Sequence, residues 1–247
     1  MSEQNPVVIA EGLAKRFGTF IALHPLDVKV FSGEFFGVFG PNGAGKSTFI
    51  RLLTGQIPPS KGQASVLGIN PHHDPRLVKA NIGIVPESES PPSFLTAKEF
   101  LTMVAQLRNL EDIEKRVFHW LDFFGIVDRK FTLCKDLSKG QRQKLMLSAA
   151  LMHQPRLLFL DEPFVNLDPL YQRKTRELLV KYVDEGGTIF LCSHILEIAE
   201  KLCTRFAVID DGRVLAHGTF EDVKRRDEST LEDVFIRLVS ERNSEEE

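Results

Sequence analysis

Nine consecutive residues constrain this chain more than any others: Gly40-Pro41-Asn42-Gly43-Ala44-Gly45-Lys46-Ser47-Thr48. They follow an apolar run, Phe35 to Phe39, and lead into a helical pattern opening near Lys46. The spacing is G-x-x-x-x-G-K-[ST], and strand, loop and helix in that order are the setting the pattern requires. Glycines let the backbone wrap so that successive N–H groups point into one concave space. The helix start adds partial positive charge. Such a cradle suits phosphate. Lys46 is placed to reach the β- and γ-phosphates of a nucleoside triphosphate, and the Ser47 hydroxyl to bind Mg²⁺. A chance glycine turn is the competing reading, with odds of roughly one in a hundred at ordinary residue frequencies.

The rest of the sequence suits an α/β fold around such a loop. Apolar runs without polar alternation recur at Ile82 to Val85, Leu157 to Leu160, Ile189 to Cys192 and Phe206 to Ile209. Runs of this kind fit strands buried on both faces, as in a parallel sheet covered by helices. Val7 to Phe31 mixes polar and apolar residues, which predicts a smaller antiparallel sheet with one wet face. From about Ser88 to Gln154 strand runs are missing and helix starts appear. Thr96-Ala97-Lys98-Glu99 and Ser138-Lys139-Gly140-Gln141 both have the capping-box form. This stretch reads as an inserted helical lobe, entered through the proline-rich link Pro86 to Pro92. Asp168-Pro169 opens a helix toward Asp184. Asp211-Gly212 is a hairpin turn. Thr219 to Lys224 and Leu231 to Ser240 are expected as terminal helices, and 241–247 as an acidic, solvated tail.

With 247 residues, 43% of them hydrophobic, a substantial core is possible. The formal net charge of −3 gives no general attraction to nucleic acid. No run reaches the ~18 apolar residues that would suggest a bilayer span. Met1 to Pro6 is polar and is not expected to be a signal peptide. Cys134, Cys192 and Cys203 are widely spaced and odd in number, which fits reduced residues better than a disulfide framework or zinc site.

Leu157-Leu158-Phe159-Leu160-Asp161-Glu162-Pro163 is a buried strand ending in two acids. A carboxylate leaving an apolar strand needs a cation or hydrogen bonds. Beside a phosphate cradle, Asp161 is expected to hold Mg²⁺, through water, and Glu162 to act as general base on the attacking water. Without the cradle, two solvated acids would read the same way.

With these motifs, the chain resembles the ATP-binding subunits of ABC transporters, from about Val7 to Ser240. Leu137-Ser138-Lys139-Gly140-Gln141 is close to the family signature Leu-Ser-Gly-Gly-Gln and stands shortly before the Asp161-Glu162 strand. Lys139 takes the place of the usual glycine, as in some members. Lys139 and Arg142 lie in the first turn of a helix, where cations are unfavourable by ~0.3–1 kcal/mol each, and an anion there would reverse that cost. The resemblance implies that Ser138, Lys139, Gly140 and Gln141 contact the γ-phosphate of ATP held by a second subunit. It also implies that Asn166-Leu167-Asp168 links the two sites and that His194 contacts the γ-phosphate and helps hold the attacking water. Phe17 matches the aromatic that stacks on adenine, the alternative being a core aromatic of the antiparallel sheet. Glu87, in Val85-Pro86-Glu87, replaces a glutamine that usually touches Mg²⁺ and water. A loop acid without a ligand is its other reading. Leu231 to Phe235 looks like the end of exporter-type subunits.

The resemblance therefore implies a P-loop ATPase with a mainly parallel sheet, an N-terminal antiparallel sheet and an inserted helical lobe. It implies ATP and Mg²⁺ as cofactors. A separate membrane permease is implied as partner, together with a second ATP-binding subunit, identical or closely related. Location is expected on the cytoplasmic face of the membrane, with export as the direction. A soluble ABC-type ATPase acting on ribosomes or DNA would usually show two motor domains or a long coiled-coil insert. A small-molecule kinase is opposed by Ser138 to Gln141 and His194.

Overall fold

The computed structural model describes residues 5–87 and 91–245. The start of the chain before Asn5, residues 88–90 of the proline-rich link and the last two glutamates lie outside them. The chain opens with an antiparallel ribbon, β1 (Pro6–Phe17) and β2 (Phe20–Phe31). After β3 (Phe35–Phe39) and α1 (Lys46–Leu53), β4 (Lys61–Val66) returns to pair with β1, giving the sheet β2-β1-β4. Neither β4 nor the next helix, α2 (Pro75–Asn81), was legible in the sequence. The first three residues of β4 are exposed and include a glycine, so the strand has no apolar signature.

Next come β5 (Ile82–Val85) and the helical lobe: α3 (Ala97–Leu107), α4 (Ile113–Phe123) and α5 (Lys139–Leu151). The remaining elements are β6 (Leu157–Asp161), α6 (Pro169–Asp184), β7 (Thr188–Ser193), α7 (Leu196–Leu202), β8 (Arg205–Asp210), β9 (Arg213–Gly218), α8 (Phe220–Val223) and α9 (Leu231–Glu245). The second sheet runs β5-β6-β7-β3-β8-β9 and is parallel except for the β8–β9 hairpin.

The five apolar runs are strands because each side chain has a core to enter. Phe35, Leu158, Leu160, Ile189, Leu191, Phe206 and Val208 face one core, with the helical lobe and α9. Phe36, Val38, Leu157, Phe159, Phe190 and Cys192 alternate with them into a second core, beneath α1 and the N-terminal sheet. Strand side chains alternate faces, so an unbroken apolar run needs two covers, and the fold supplies both. Phe190 centres the second core, with ring centroids 5.6, 5.4 and 5.3 Å from Phe36, Phe49 and Phe159. Because Phe49 belongs to α1, this cluster fixes the helix that follows the phosphate loop.

The predicted capping boxes form at both Thr96, with Glu99, and Ser138, with Gln141. Asp168 caps α6 by accepting from the Tyr171 amide. The chain does not turn into a solvated tail after Ser240: α9 continues through Glu245. Arg242 explains this, because its guanidinium pairs with Asp210 at 2.6 Å and ties the last turns to the end of β8.

Candidate functional site

β3 lies between β7 and β8, so the phosphate loop leaves the sheet flanked by the ends of both. Gly45 is the residue that lets the loop enter α1. Its φ is 102°, and a Cβ there would lie 2.6 Å from the Ala22 carbonyl oxygen. No side chain caps α1, whereas α3, α5 and α6 each carry a side-chain cap. The α1 start therefore keeps its first-turn N–H groups for an outside acceptor. Ala44 is buried in the core, and its carbonyl accepts from the Gly212 amide at 3.0 Å. The Gly212 carbonyl in turn accepts from the His24 amide at 2.8 Å, so the β8–β9 turn braces the loop against β2. Lys46 is buried, and its ammonium donates to the carbonyls of Gly40 at 2.8 Å and Pro41 at 3.0 Å.

Both acids at the end of β6 are buried. Asp161 Oδ1 has no hydrogen-bond partner. Burial pushes its carboxyl up to about 6; the charges of Glu87 and Glu162 add to this, while the Ser47 hydroxyl and Lys46 oppose it. Glu162 has φ 50°, a left-handed conformation unusual for a glutamate. Its amide donates to the Cys192 carbonyl, and the turn this creates aims the carboxylate at the end of β7. There Ser193 Oγ donates to one carboxylate oxygen at 2.9 Å. The other accepts from the His194 amide at 2.8 Å and lies 2.7 Å from His194 Nδ1. A carboxylate oxygen accepts, so the proton between them is assigned to Nδ1. Strained backbone held by several partners is frequent at functional sites.

A cleft of about 320 Å³ gathers these groups: Lys46, Ser47, Thr48, Glu87, Asp161 and Glu162 line it with Asn42, Gly43 and Gly45. Glu87 lines the cleft, and its Oε2 accepts from Ser47 Oγ at 3.4 Å. His194 lines a second cleft of about 270 Å³ on the other flank of the loop, with Gly40, Pro41 and Phe235, and Asn42 belongs to both clefts.

Two expected groups stand elsewhere. Phe17 lies at the end of β1 and is half exposed, so it is not a core aromatic, but it does not line the phosphate cleft. Phe20 and Ala22 line it instead. The Ser138 to Gln141 helix start is also absent from both clefts. There Ser138 and Gln141 satisfy one another, at 2.9 and 3.2 Å, and Arg142 turns back to the Leu137 carbonyl at 2.7 Å. The charge argument for an outside anion thus rests on Lys139 alone. Gly140 packs against the segment after Glu162: a Cβ would lie 2.5 Å from the Asn166 carbonyl oxygen. Asn166 itself has φ 67°, a conformation that asparagine tolerates better than most residues. Gln143 donates to the Pro163 carbonyl at 3.2 Å, and the Lys144 ammonium lies 3.3 Å from Asp168 and 3.1 Å above the Tyr171 ring. These contacts bind α5 to the segment carrying Glu162.

Sequence reasoning missed Ser193, Phe20 and the Gly212 brace. Ser193 adjoins His194, and its strand-end position was the available signal; the other two depend on which turns meet in space.

The family model described as ABC transporter matches residues 23–165. The chain is 37% identical over 217 residues to the Nod factor export ATP-binding protein I of Rhizobium leguminosarum bv. viciae, covering 87% of this chain and 70% of that protein. It is likewise 37% identical to the daunorubicin/doxorubicin resistance ATP-binding protein DrrA of Streptomyces peucetius, covering 92% and 68%. It spans only 59% of the length of an uncharacterised ABC transporter ATP-binding protein of Synechocystis, again at 37% identity over 84% of this chain. A solved ATP-binding subunit of an ABC transporter superposes with a TM-score of 0.88 at 30% identity, covering 94% of this chain and 99% of that one. A phosphate loop, a separate capped helix start and two buried acids follow one another along the chain on this fold, in agreement with these matches: the chain belongs to the ABC transporter ATP-binding family and is an ATPase.

Proposed function

We propose that this chain hydrolyses ATP with Mg²⁺ to drive export through a separate membrane-spanning partner. The observation that carries the reading is the single cleft in which Lys46, Ser47, Asp161 and Glu162 converge. Glu162 is the general base and His194 its neighbour at the γ-phosphate, while the loop from Gly40 to Thr48 holds the phosphates through backbone N–H groups and Lys46. Ser47, Asp161 and Glu87 supply oxygen donors, which suit a hard divalent cation. The orphaned, buried oxygen of Asp161 fits such an ion. Among the described residues no three acidic, His or Cys side chains are grouped to hold a metal unaided, which fits an ion whose shell is completed by phosphate oxygens and water. Bound Mg²⁺ would neutralise charge on the phosphates and orient them.

Ser138 to Gln141 lies outside the cleft, which supports its use by a second subunit's nucleotide. No helix among the described residues is long and apolar enough to cross a membrane, which agrees with a separate spanning partner. Exposed apolar side chains on the lobe, Phe94 at 78% and Phe131 at 71%, support that face as the docking surface. They lie on stretches joined by backbone hydrogen bonds from Cys134 to Leu95 and from Ala97 to Thr132. The names of the Nod factor and drug-resistance relatives support export.

The test is to express the chain with a neighbouring membrane protein, isolate the complex and measure ATP hydrolysis in vesicles. Co-purification, hydrolysis stimulated by the partner and crosslinks from Phe94 or Leu107 to it are expected. Association with ribosomes or DNA in place of a membrane chain, or crosslinks confined to α9, would overturn the reading.

A further inference from the structure

One face of α5 grips the segment that follows Glu162. Gly140, Gln143, Lys144 and Leu147 recur at helical spacing and share that face. Gly140 packs against the Asn166 carbonyl, and Gln143 donates to the carbonyl of Pro163, the residue next to Glu162, at 3.2 Å. Lys144 reaches the far end of the segment. Its side chain is buried and lines neither cleft. Its ammonium lies 3.3 Å from Asp168 Oδ2 and 3.1 Å above the Tyr171 ring, both at the start of α6. Asp168 Oδ1 accepts from the Tyr171 amide at 3.2 Å, so one carboxylate ties the α6 cap to α5. Between these two grips the chain has little slack. Val165 donates back to the Glu162 carbonyl at 3.2 Å, and Leu167 to that of Phe164 at 3.3 Å. Gln172, on α6, donates to the carbonyls of Phe164 and Leu167 at 3.3 and 3.2 Å. A shift of α5 against α6 therefore bears on the residue that opens the segment, Glu162, with its left-handed φ of 50°.

Resting on the reading of Glu162 as general base, we infer that Lys144 is a positioning residue for hydrolysis. By fixing Asp168 and the start of α6 to α5, it holds the turn from which the Glu162 carboxylate meets His194. It acts through Glu162, and so contributes to turnover and not to ATP binding. A buried ammonium is costly without partners, which makes this pairing strict about position. Arginine can restore both contacts, because a guanidinium pairs with a carboxylate and stacks on a ring. Methionine keeps the apolar stem and loses both.

Phosphate release and calorimetric titration with Mg²⁺ and ATP test this on the purified wild type, Lys144→Met, Lys144→Arg, Asp168→Asn and Glu162→Gln, and on Glu162→Gln combined with Lys144→Met. Lys144→Met should lower kcat roughly tenfold to a hundredfold, the scale of a small misplacement of a reacting group, and leave ATP affinity within about twofold. Lys144→Arg should recover most of the turnover. Asp168→Asn keeps an oxygen for the Tyr171 amide but no charge for Lys144, and should repeat the kcat loss from the exposed side of the pair. Adding Lys144→Met to Glu162→Gln should cost nothing further, because no base is left to place, whereas a merely structural role would lower turnover again. The inference is overturned if Lys144→Met or, where that variant does not fold, Asp168→Asn keeps wild-type kcat. It is also overturned if the loss falls on ATP affinity, if Lys144→Arg is as slow as Lys144→Met, or if the loss persists at full size beside Glu162→Gln. In all these cases the reading of Glu162 as base survives. Wild-type turnover by Glu162→Gln would remove that reading, and this inference with it.

Discussion

At the scale of single residues, the two acids after β6 are handled in opposite ways. Glu162 is buried but fully engaged, by Ser193, the His194 amide and the His194 ring. Glutamine there keeps shape and an acceptor oxygen but cannot take a proton. We expect Glu162→Gln to bind ATP normally and to lose roughly a hundredfold or more in turnover, measured by phosphate release. Near-normal turnover would remove Glu162 from the base role. Asp161 is buried with one oxygen unpartnered, and its carboxyl titrates near 6 instead of 3.8. Between those values the folded chain holds a proton that the unfolded chain has lost. Stability of the metal-free, nucleotide-free protein should therefore fall as pH rises through that window and stay lower above it. Asp161→Asn should flatten the decline and raise stability at pH 8 by on the order of 1–3 kcal/mol, while abolishing Mg²⁺-dependent hydrolysis. Denaturant titrations across the pH range would show it, and an unchanged pH profile would remove the assignment.

Helix starts carry the argument at the scale of elements. α1 begins without a side-chain cap and lines the cleft, whereas α5 begins with its own capping box and does not line it. A second nucleotide is therefore not needed to satisfy α5, and Lys139 is the residue whose placement still asks for an anion. Lys139→Glu should raise the stability of the isolated chain by ~0.3–1 kcal/mol, because an acid suits a first turn. It should leave ATP binding by the isolated chain intact and weaken ATP-dependent pairing of two chains. Sedimentation with and without ATP tests this; pairing as strong as wild type would exclude α5 from the shared site. Lys139 is a better probe than Gly140, since any side chain at Gly140 meets the Asn166 carbonyl of the same chain.

For the whole molecule, the α5 start lines neither cleft, which agrees with the proposal that a complete site is shared between two copies. Mixing Lys46→Ala with Lys139→Glu, each carrying Glu162→Gln to slow hydrolysis, should give pairs that trap one ATP. Both defects then fall in one site and the other is intact. Unmixed Glu162→Gln chains should trap ATP at both sites. Trapping by the parent but none by the mixture would mean sites that are not shared or that cannot work singly. The sequence by itself determined the elements whose signals are local. The five apolar runs fit strands covered on both faces, the glycine loop fits a join from strand to helix, and Thr96, Ser138 and Asp168 announced their helices through their own side chains. It also supplied the residue types of the site, because a phosphate cradle and paired acids require particular chemistry at fixed spacing. Tertiary structure alone decided what depends on residues far apart in the chain. β4 is a strand because β1 offers it a partner, not because its sequence favours one. α9 runs past Ser240 because Arg242 finds Asp210. Phe20 and not Phe17 lines the cleft because the hairpin end leans over a loop reached only after β3. Glu162 meets Ser193 and His194 because parallel pairing of β6 with β7 brings the two strand ends together, and no pattern within either strand records that register.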